Sequence, residues 1–358
     1  MLNRGRKMNL TFEEIRNSAE FGSFLSEHSL ALPSNFKLNH KNQARIKDLD
    51  NNSLSVLLTF HDFTTARDGK PFVRVFWFNG KGEQYFTPQG FKKISAAEKK
   101  RYAEEAKKRA AWLKEQELKN AKRSHEEFLA VGVPCKYHKY LEVKNVHAYY
   151  GVRYATQTIT EIVGDEVRTR IAKGDLLIPI ISLDKQFKSY QRIDAKGKKL
   201  LCRDSSKHKG MFPIGAWNSK TTQVILCEGY ATGATLHEAT GKTVFVCFDI
   251  GNIAAVAKEL AEKHPHVEVI LASDYDLEKE QAGLINALLL SQQFNFKFVF
   301  PTTVKKGSDW NDLLHEQGLE ACNDLFYSEL QKFEHQSNED IIKSYYPLLI
   351  DKNLAKVA

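Results

Sequence analysis

Three carboxylates follow two apolar segments in the C-terminal part of the chain. Glu228 comes directly after the strand-like run 224–227, and Asp274 and Asp276 follow the run 267–271. Because ligands bind at the carboxyl ends of the strands in an open parallel sheet, we expect these side chains to meet at one edge. Hard cations such as Mg²⁺, or Mn²⁺ in its place, prefer carboxylate oxygens. The spacing therefore predicts a divalent metal site and metal-dependent phosphoryl chemistry.

Each part of this cluster also has an ordinary structural interpretation. Glu228 could be a first-turn helix charge, and Asp274 and Asp276 could belong to a solubilising acidic loop together with Glu278 and Glu280. A single D-x-D pair is a weak signal. Its combination with a glutamate on a neighbouring strand is much more specific and favours the metal site.

The elements that must position these carboxylates alternate between strand and helix. Apolar runs at 224–227, 243–248, 267–272 and 296–300 predict strands, and the segments between them have helical length. Gly241 stands where the helix before the second strand should end. This alternation is typical of a doubly wound parallel sheet of the α/β class.

The composition changes along the rest of the chain and predicts further domains. Strands between 54 and 91 predict a small α+β domain, which is a candidate for nucleic-acid binding. A long segment without Gly or Pro predicts a charged helix, either a solvated linker or a nucleic-acid-facing helix. The predicted divisions are 1–94 for the N-terminal α+β domain, 95–131 for the linker helix, 132–223 for a β-rich basic subdomain, 224–330 for the catalytic α/β domain and 331–358 for a helical tail.

Charge is distributed unevenly along the chain. Residues 1–223 carry a net charge of +17, whereas the part from Val224 onward carries −9. This asymmetry predicts that residues 1–223, the basic front of the chain, bind a polyanion, and that the part from Val224 onward binds the metal. The five cysteines include no C-x-x-C pair, so no zinc is expected. Neither a membrane-spanning run nor an apolar signal core is found, so we expect a cytoplasmic protein.

A basic segment lies just before the first strand of the predicted parallel sheet. Its side chains could bind template phosphates or an incoming nucleotide, and a solvated charged loop is the ordinary alternative. Taken alone, these residues favour the charged loop. The family resemblance stated next implies that nucleotide or template is bound by Lys198, Lys199, Arg203, Lys207 and Lys209.

Four segments share a pattern with one protein family. They are 227–237 around Glu228-Gly229, 248–252 with its Gly-Asn turn, 274–276 followed by Ala282-Gly283, and 308–314 with the sequence S-D-W-N-D-L-L. As a set they resemble the Toprim domain, in the version found in DNA primases of conjugative plasmids and phages. The segment 176–203 is similar to the β region that precedes Toprim in that group, so the likeness covers about residues 134–320.

The resemblance implies a DNA primase that makes short RNA primers on single-stranded DNA for a plasmid, phage or other mobile element. Glu228 would be the catalytic residue, as a general acid/base or metal-organising group. Asp274 and Asp276 would hold magnesium, which positions the nucleoside triphosphate. The implied partners are a single-stranded DNA template, NTPs and a replicative helicase or other replication protein, without a membrane.

The resemblance also implies roles for three further polar residues. Asn252, in the Gly-Asn turn, is expected to take part in nucleotide or template binding. Asp309 and Asn311 stand before or at the start of a predicted helix. The ordinary interpretation is an N-cap role, and the more specific one is a position at the rim of the metal site.

Two alternatives to a primase remain at this point. A Toprim nuclease would use the same carboxylates to hydrolyse phosphodiesters, and a non-catalytic accessory protein would only bind nucleic acid. The primase-like flanks at 176–203 and 308–314 favour the primase.

Overall fold

The computed structural model describes residues 12–33, 36–38, 42–50, 53–61, 72–77, 82–88, 96–275, 281–303, 308–349 and 357. The chain forms two compact units, Met1–Leu113 and Lys114–Ala358.

The first unit contains a five-stranded antiparallel sheet and two short helices. Its elements are α1 (Phe12–Arg16), α2 (Ala19–Glu27), β1 (Leu30–Ala31), β2 (Gln43–Asp48), β3 (Ser53–His61), β4 (Phe72–Trp77) and β5 (Gly82–Phe86), and the strands pair in sequence order. Alternate residues of a strand share one face, so Val73, Val75 and Trp77 of β4 are buried together. They form one core with Phe12 and Phe21 of the helices. This is the predicted α+β fold of the N-terminal region.

The opposite face of β4 carries aromatic and basic side chains. Phe72, Arg74 and Phe76 are half-buried there, and the Arg74 guanidinium lies 5.6 Å from the centroid of the Phe76 ring. Tyr85 on β5 is 52% exposed on the same sheet. The turns that join β3 to β4 and β4 to β5 lie outside the described residues.

Helix α3 (Ala96–Val131) begins in the first unit and ends in the second. Its last turns are packed rather than solvated, because Ser124, Phe128 and Val131 are buried. The buried Arg170 side chain fixes this end further by binding Glu127, with 2.8 Å between Nε and Oε1. The predicted linker helix is therefore exposed over only part of its length.

The second unit opens with a β-rich region. Its elements are β6 (Gly132–Pro134), α4 (Lys139–Val143), β7 (Arg153–Ala155), β8 (Ile159–Val163), β9 (Glu166–Ile171), β10 (Leu176–Ile181), β11 (Phe187–Ile193) and β12 (Lys199–Leu201). Five of these strands form an antiparallel sheet in the order β12–β11–β10–β7–β6, and β8 and β9 form a separate hairpin. The β10–β11–β12 meander confirms the β region expected at 176–203, whereas the sequence analysis did not predict the β8–β9 hairpin.

A parallel sheet with flanking helices follows. Its elements are β13 (Phe212–Ile214), β14 (Gln223–Cys227), α5 (Tyr230–Thr240), β15 (Thr243–Val246), α6 (Ile250–Lys263), β16 (Glu268–Ala272), α7 (Ala282–Phe294), β17 (Lys297–Val299), α8 (Trp310–His335), α9 (Asn338–Ser344) and a 3₁₀ turn at Tyr346–Leu348. The strand order is β13–β15–β14–β16–β17. Strands β14 to β17 are mutually parallel, and the edge strand β13 is antiparallel to β15.

The helices cover both faces of this sheet, which confirms the doubly wound α/β fold. Side chains of α5 and α8 share one core with the sheet, and side chains of α6, α7 and α9 share the other. All four predicted strands are present within a few residues of their expected bounds. Gly241 ends α5 with φ of 67°, a left-handed conformation that favours glycine, as predicted.

The β-rich region and the parallel sheet share one hydrophobic core. Ile178 and Ile180 of β10 lie in the same cluster as Ile225 of β14 and Val246 of β15. Strand β13 also joins the parallel sheet directly, with Phe212 opposite Val246. The regions 132–223 and 224–330, predicted as separate domains, are thus packed as one body.

Two helical glycines give a matched test of this packing. A Cβ on Gly233 of α5 would lie 2.7 Å from Val246 Cγ2 and 3.0 Å from Cys227 Sγ, whereas one on Gly251 of α6 would meet Asp249 Oδ1 at an ordinary 3.6 Å. We expect Gly233→Ala to lower the free energy of unfolding by about 1–3 kcal/mol through overpacking. Gly251→Ala should be neutral or stabilise by up to about 1 kcal/mol. Urea unfolding of both variants checks this, and equal stabilities would contradict the close approach of α5 to the sheet.

Candidate active site

Glu228 lies at the carboxyl end of the central strand β14, between the strand and helix α5. The carbonyl of Glu228 accepts a hydrogen bond from the Phe248 amide at 2.8 Å, and that of Cys227 accepts one from the Cys247 amide at 2.8 Å. These bonds extend the β14–β15 pairing past the end of the strands and fix the backbone. The Glu228 side chain is half-buried and has access to solvent.

Asp274 lies at the same edge of the sheet, two residues after β16. Leu226 of β14 pairs in parallel with Leu271 of β16, so both strands end side by side. Beyond the strand end, the Tyr275 amide donates to the Ser308 carbonyl at 3.0 Å, which ties this loop to the segment before α8. The predicted meeting of two strand-end segments is therefore observed.

Glu228 and Asp274 line one small cavity of about 110 Å³. The rest of its wall comes from the starts of α6 and α7 and the end of β16, namely Ile250, Ile253, Ser273, Ala282 and Gly283. The second aspartate of the D-x-D pair, Asp276, lies outside the described residues. Its predicted role as a metal ligand stays a prediction.

A third carboxylate, Asp309, joins this strand end. Burial raises the pKa of the Cys227 thiol above its usual value, and the neighbouring Cys247 adds to the shift. The charges of Asp274, Asp309 and Glu228 raise it further. The charges of all three carboxylates thus act on the last residue of β14.

Asp309 is also the N-cap of α8, which was the ordinary interpretation. Its carboxylate accepts hydrogen bonds from the Asn311 amide at 2.8 Å and the Asp312 amide at 3.0 Å, and Asp312 returns the bond to complete a capping box. The Thr232 hydroxyl on α5 donates to Asp309 at 3.3 Å. The N-cap role of Asp309 and a place at the rim of the metal site are therefore both compatible with its position.

Asn311 lies inside the fold. It is fully buried, and its side-chain amide donates to the Lys144 carbonyl at 2.8 Å and to the Thr235 hydroxyl at 3.0 Å. These bonds tie α4, α5 and α8 together. The alternative in which Asn311 lines the rim stays a prediction, and the observed contacts give it a structural role.

Two of the predicted basic residues lie close to Glu228. A Cβ built on Gly229 would be 3.4 Å from the Lys199 ammonium, so this charge lies over the junction between Glu228 and α5. Lys207 forms an ion pair with Asp249, the N-cap of α6. Burial lowers the pKa of Lys207, and the charge of Glu228 opposes that shift.

Asn252 holds the loop that carries Lys207. It is buried, and its amide donates to the carbonyls of Gly210 at 2.7 Å and Cys247 at 2.8 Å, while its oxygen accepts from the Lys209 amide at 2.8 Å. The nucleotide or template contact predicted for Asn252 stays a prediction. Its observed bonds position the basic loop against the sheet.

The other basic residues lie on the approach to this site. The Lys198 side chain is exposed just before β12. Its backbone amide donates a hydrogen bond to the Asp194 carboxylate at 2.9 Å, within the hairpin turn. Arg203 is 3.4 Å from Glu161 of the β8–β9 hairpin. Lys209 is half-buried with a positive φ of 58°. The predicted basic set therefore spreads from β12 to the start of α6 rather than forming one compact cluster.

The carboxylates present fit a hard divalent cation. Glu228 and Asp274 share a partly open cavity, and Mg²⁺ is usually bound through one or two carboxylates while it keeps several water ligands. Among the described residues, which do not include Asp276, no group of three or more His, Cys, Asp or Glu side chains could hold a metal ion.

Residues 223–320 match the family described as Toprim domain. These residues are a Toprim domain. The match begins with β14 and ends within α8, so it includes Glu228, Asp274 and Asp309. The α/β fold and the resemblance to the Toprim domain inferred from the sequence motifs are confirmed.

Two relatives are DNA primases named TraC from Escherichia coli. One is 30% identical over 169 residues, which cover 45% of this chain and 11% of that protein. The other is 32% identical over 111 residues, which cover 30% of this chain and 10% of that protein. The chain thus spans about a tenth of the curated relatives it matches. These matches confirm the predicted resemblance to Toprim primases of the plasmid type.

Solved structures of primases are also similar. The DnaG catalytic core is 14% identical with a TM-score of 0.44, over 61% of this chain and 80% of that one. The zinc-binding and RNA polymerase domains of the Aquifex aeolicus primase are 15% identical with a TM-score of 0.43, over 96% of this chain and 94% of that one. Both scores are below 0.5, so the assignment depends on the sequence matches. No helix among the described residues is long and apolar enough to cross a membrane.

Sequence reasoning missed two residues near the Toprim carboxylates. Asp249 pairs with Lys207, although only its place in the Phe248–Asn252 motif was noted. Tyr140 of α4 is buried and lies beside the start of α5. A D-x-x-N pattern at a helix start could have indicated the first residue as a cap. Nothing local marks Tyr140, because the packing of α4 on the Toprim domain brings it there.

Proposed function

We propose that this protein is a DNA primase, which synthesises short RNA primers on single-stranded DNA by magnesium-dependent nucleotidyl transfer. The observation that carries the proposal is the meeting of Glu228 and Asp274 in one cavity beside Lys199 and Lys207. Such a site combines carboxylates for a metal with cations for phosphates. The relationship to DNA primases over 169 residues supports this choice among the activities that a Toprim site could perform.

The proposed chemistry is an in-line attack of a ribose hydroxyl on a nucleoside triphosphate. Magnesium, or manganese, would neutralise the triphosphate and the leaving pyrophosphate. Asp274 would be its ligand, with Asp276 as the second one. Glu228 would accept the proton of the attacking hydroxyl or orient the metal, since its side chain is half-buried and accessible. Lys207 and Lys199 would bind phosphate oxygens.

The basic front of the chain would hold the template. We propose that single-stranded DNA follows the basic residues of β12 and the loop before β13 in the second unit. In the first unit, the aromatic face of β4 and β5 is a separate candidate for stacking on unpaired bases. Asn252 would act by placing Lys207 and Lys209. The remaining proposed partners are NTPs and a replicative helicase or other replication protein, in a plasmid, phage or other mobile element. We propose the divisions 1–94, 95–131, 132–223, 224–330 and 331–358 as functional segments, of which 132–223 and 224–330 share one core.

Binding of single-stranded DNA should depend strongly on salt. If about four phosphates are neutralised, the slope of log affinity against log salt should be about −3. The double variant Lys198→Gln, Lys209→Gln should reduce the magnitude of that slope by about 1.4 and weaken binding at low salt. Fluorescence anisotropy with an oligo-dT strand measures both quantities on the full chain.

Lys297→Gln is the matched control for this measurement. Lys297 pairs with Glu268 at the opposite end of the parallel sheet, far along the strands from the proposed template path. Its replacement should leave the slope unchanged. A wild-type affinity that is the same at low and high salt would refute the template role of the basic front.

A further inference from the structure

The loop that carries the D-x-D pair begins and ends at the wall of the active-site cavity. Asp274 lines the cavity at the start of the loop, and Ala282 and Gly283 line it just after the loop. Tyr275 and Gln281 are the residues of the loop next to these wall positions. Contacts that fix Tyr275 and Gln281 therefore fix where the loop leaves the cavity and where it returns.

Gln281 has an uncommon backbone conformation at the end of this loop. Its φ is 52° and its ψ is 31°, a left-handed conformation that is unfavourable for residues other than glycine. The side chain is 1% exposed, and its amide nitrogen donates to the Leu348 carbonyl at 2.6 Å. A strained backbone persists where the surrounding structure holds it, and such positions are concentrated at functional sites. The bond to Leu348 is one contact that holds Gln281 in place.

Tyr275 is held at the start of the loop by an aromatic cluster. Its ring centroid lies 6.4 Å from that of Phe300, and the Phe300 centroid lies 5.4 Å from that of Tyr345. The Tyr345 hydroxyl donates to the buried Glu329 carboxylate at 3.1 Å, and Glu329 also accepts from the Lys332 ammonium at 2.6 Å. The carboxylate thus fixes the Tyr345 ring, which supports the rings that pack on Tyr275.

Tyr345 and Leu348 both belong to the C-terminal segment 338–349, which contains α9 and the 3₁₀ turn. This segment lies outside the residues that match the Toprim family, yet it contributes to the contacts at both ends of the D-x-D loop. Apolar side chains such as Ile341 would be sufficient to complete the core. Buried hydrogen bonds do more than this, because a satisfied polar network specifies one arrangement of the groups that it joins.

We propose that the C-terminal segment positions the D-x-D loop for metal binding, with Tyr275 and Gln281 as positioning residues that act through Asp274. The proposal rests on the proposed metal role of Asp274 and Asp276. It gives the predicted helical tail a part in the active site. Replacing a group that orients a metal ligand typically weakens metal affinity about 10–100-fold.

Binding of Mn²⁺ by the full chain tests the proposal independently of primer synthesis. The free ion is measured by its electron paramagnetic resonance signal during a titration. Asp274→Asn defines the site, because it should weaken the tightest Mn²⁺ site by about tenfold or more. Gln281→Met, which removes the donor, and Tyr275→Ala, which removes the ring, should each weaken the same site by about tenfold. Tyr275→Phe keeps the ring on Phe300 and should bind Mn²⁺ like the wild type.

Phe333→Leu is the matched control for a general loss of stability. Phe333 packs edge-on against Phe298 in the same core, with 5.3 Å between the ring centroids. Its replacement should lower the thermal unfolding midpoint, as a smaller side chain in a packed cluster does, and leave the Mn²⁺ affinity unchanged. Unfolding midpoints of all variants are measured without metal. If Tyr275→Ala does not fold, Gln281→Met decides the test.

The outcomes separate the positioning role from the metal site itself. Weaker Mn²⁺ binding by Gln281→Met and Tyr275→Ala, with wild-type affinity in Tyr275→Phe and Phe333→Leu, supports the proposal. Wild-type affinity in both loop variants, or equal weakening in Phe333→Leu, overturns it while the metal site stands.

Two further results concern the assignments on which the proposal rests. An unchanged Mn²⁺ affinity in Asp274→Asn would overturn the metal site and the positioning role together. A protein whose variants bind Mn²⁺ as expected, but which makes no primers, would support the positioning role and contradict only the primase assignment.

Discussion

Glu228→Gln should reduce the rate of primer synthesis by about a hundredfold or more and leave the affinity for single-stranded DNA unchanged. The amide has the shape of the carboxylate but can neither accept a proton nor bind a metal as an anion. The proposed template contacts are the basic side chains of β12 and of the loop before β13, and the Glu228 carboxylate supplies no cation for phosphates. Initial rates with labelled NTPs and anisotropy with oligo-dT, measured on the same preparation, check both parts.

Glu262→Gln is the control for this substitution. Glu262 is exposed on α6, and its ion pair with Lys258 at i,i+4 is long, at 3.9 Å. It should synthesise primers at the wild-type rate. If Glu228→Gln lost DNA affinity and synthesis in equal measure, Glu228 would have a structural role instead of a catalytic one.

Asp274→Asn should be comparably damaging, because it removes a proposed metal ligand. Loss of that charge should lower the synthesis rate on the order of a hundredfold and raise the magnesium concentration needed for half-maximal rate. The buried strand β16 and the Tyr275–Ser308 bridge hold the backbone, so the protein should remain folded. A magnesium titration of the initial rate, with circular dichroism as the folding check, measures these effects.

The spacing of the D-x-D pair predicts the same result for Asp276→Asn. Asp184→Asn is the control, because the Asp184 side chain is 68% exposed and its ion pair with Lys263, at 3.4 Å, lies on the surface. Near-wild-type synthesis by both Asp274→Asn and Asp276→Asn would show that this loop does not hold the metal.

The parallel sheet could be predicted because its signals are local. Each strand is a short buried apolar run, and Gly241 and Asp309 mark helix ends by residue type alone. The position of Glu228 beside Asp274 then follows from the rule that ligands bind at the carboxyl ends of parallel strands. The strands, the helix ends and the positions of Glu228 and Asp274 therefore depend on sequence patterns within a few residues of each side chain.

The contacts between distant segments could not be predicted in this way. Tyr140 reaches α5 only because α4 packs on the Toprim domain, and Lys207 reaches Asp249 only because Asn252 anchors its loop. Strand β13 is three residues long with a central proline, so its pairing with β15 has no clear sequence signal. Such features depend on tertiary packing, which overrides local propensity.

The shared core also changes how DNA binding should be tested. The charge asymmetry suggests a fragment of residues 1–223, but that cut would remove β15 from β13 and expose Ile178 and Ile180, which pack with Ile225. We expect such a fragment to be unstable. The full chain is therefore the appropriate protein for every binding experiment.

The most direct test of the primase assignment is one reaction with labelled NTPs, a single-stranded DNA template and magnesium, analysed on a denaturing gel. The wild-type protein should produce short labelled RNA that requires both the template and the metal, and Glu228→Gln should produce about a hundredfold less. A shortened template without labelled product would instead identify a nuclease. A shifted template band on a native gel, with neither product nor cleavage, would identify an accessory DNA-binding protein and contradict the proposed activity.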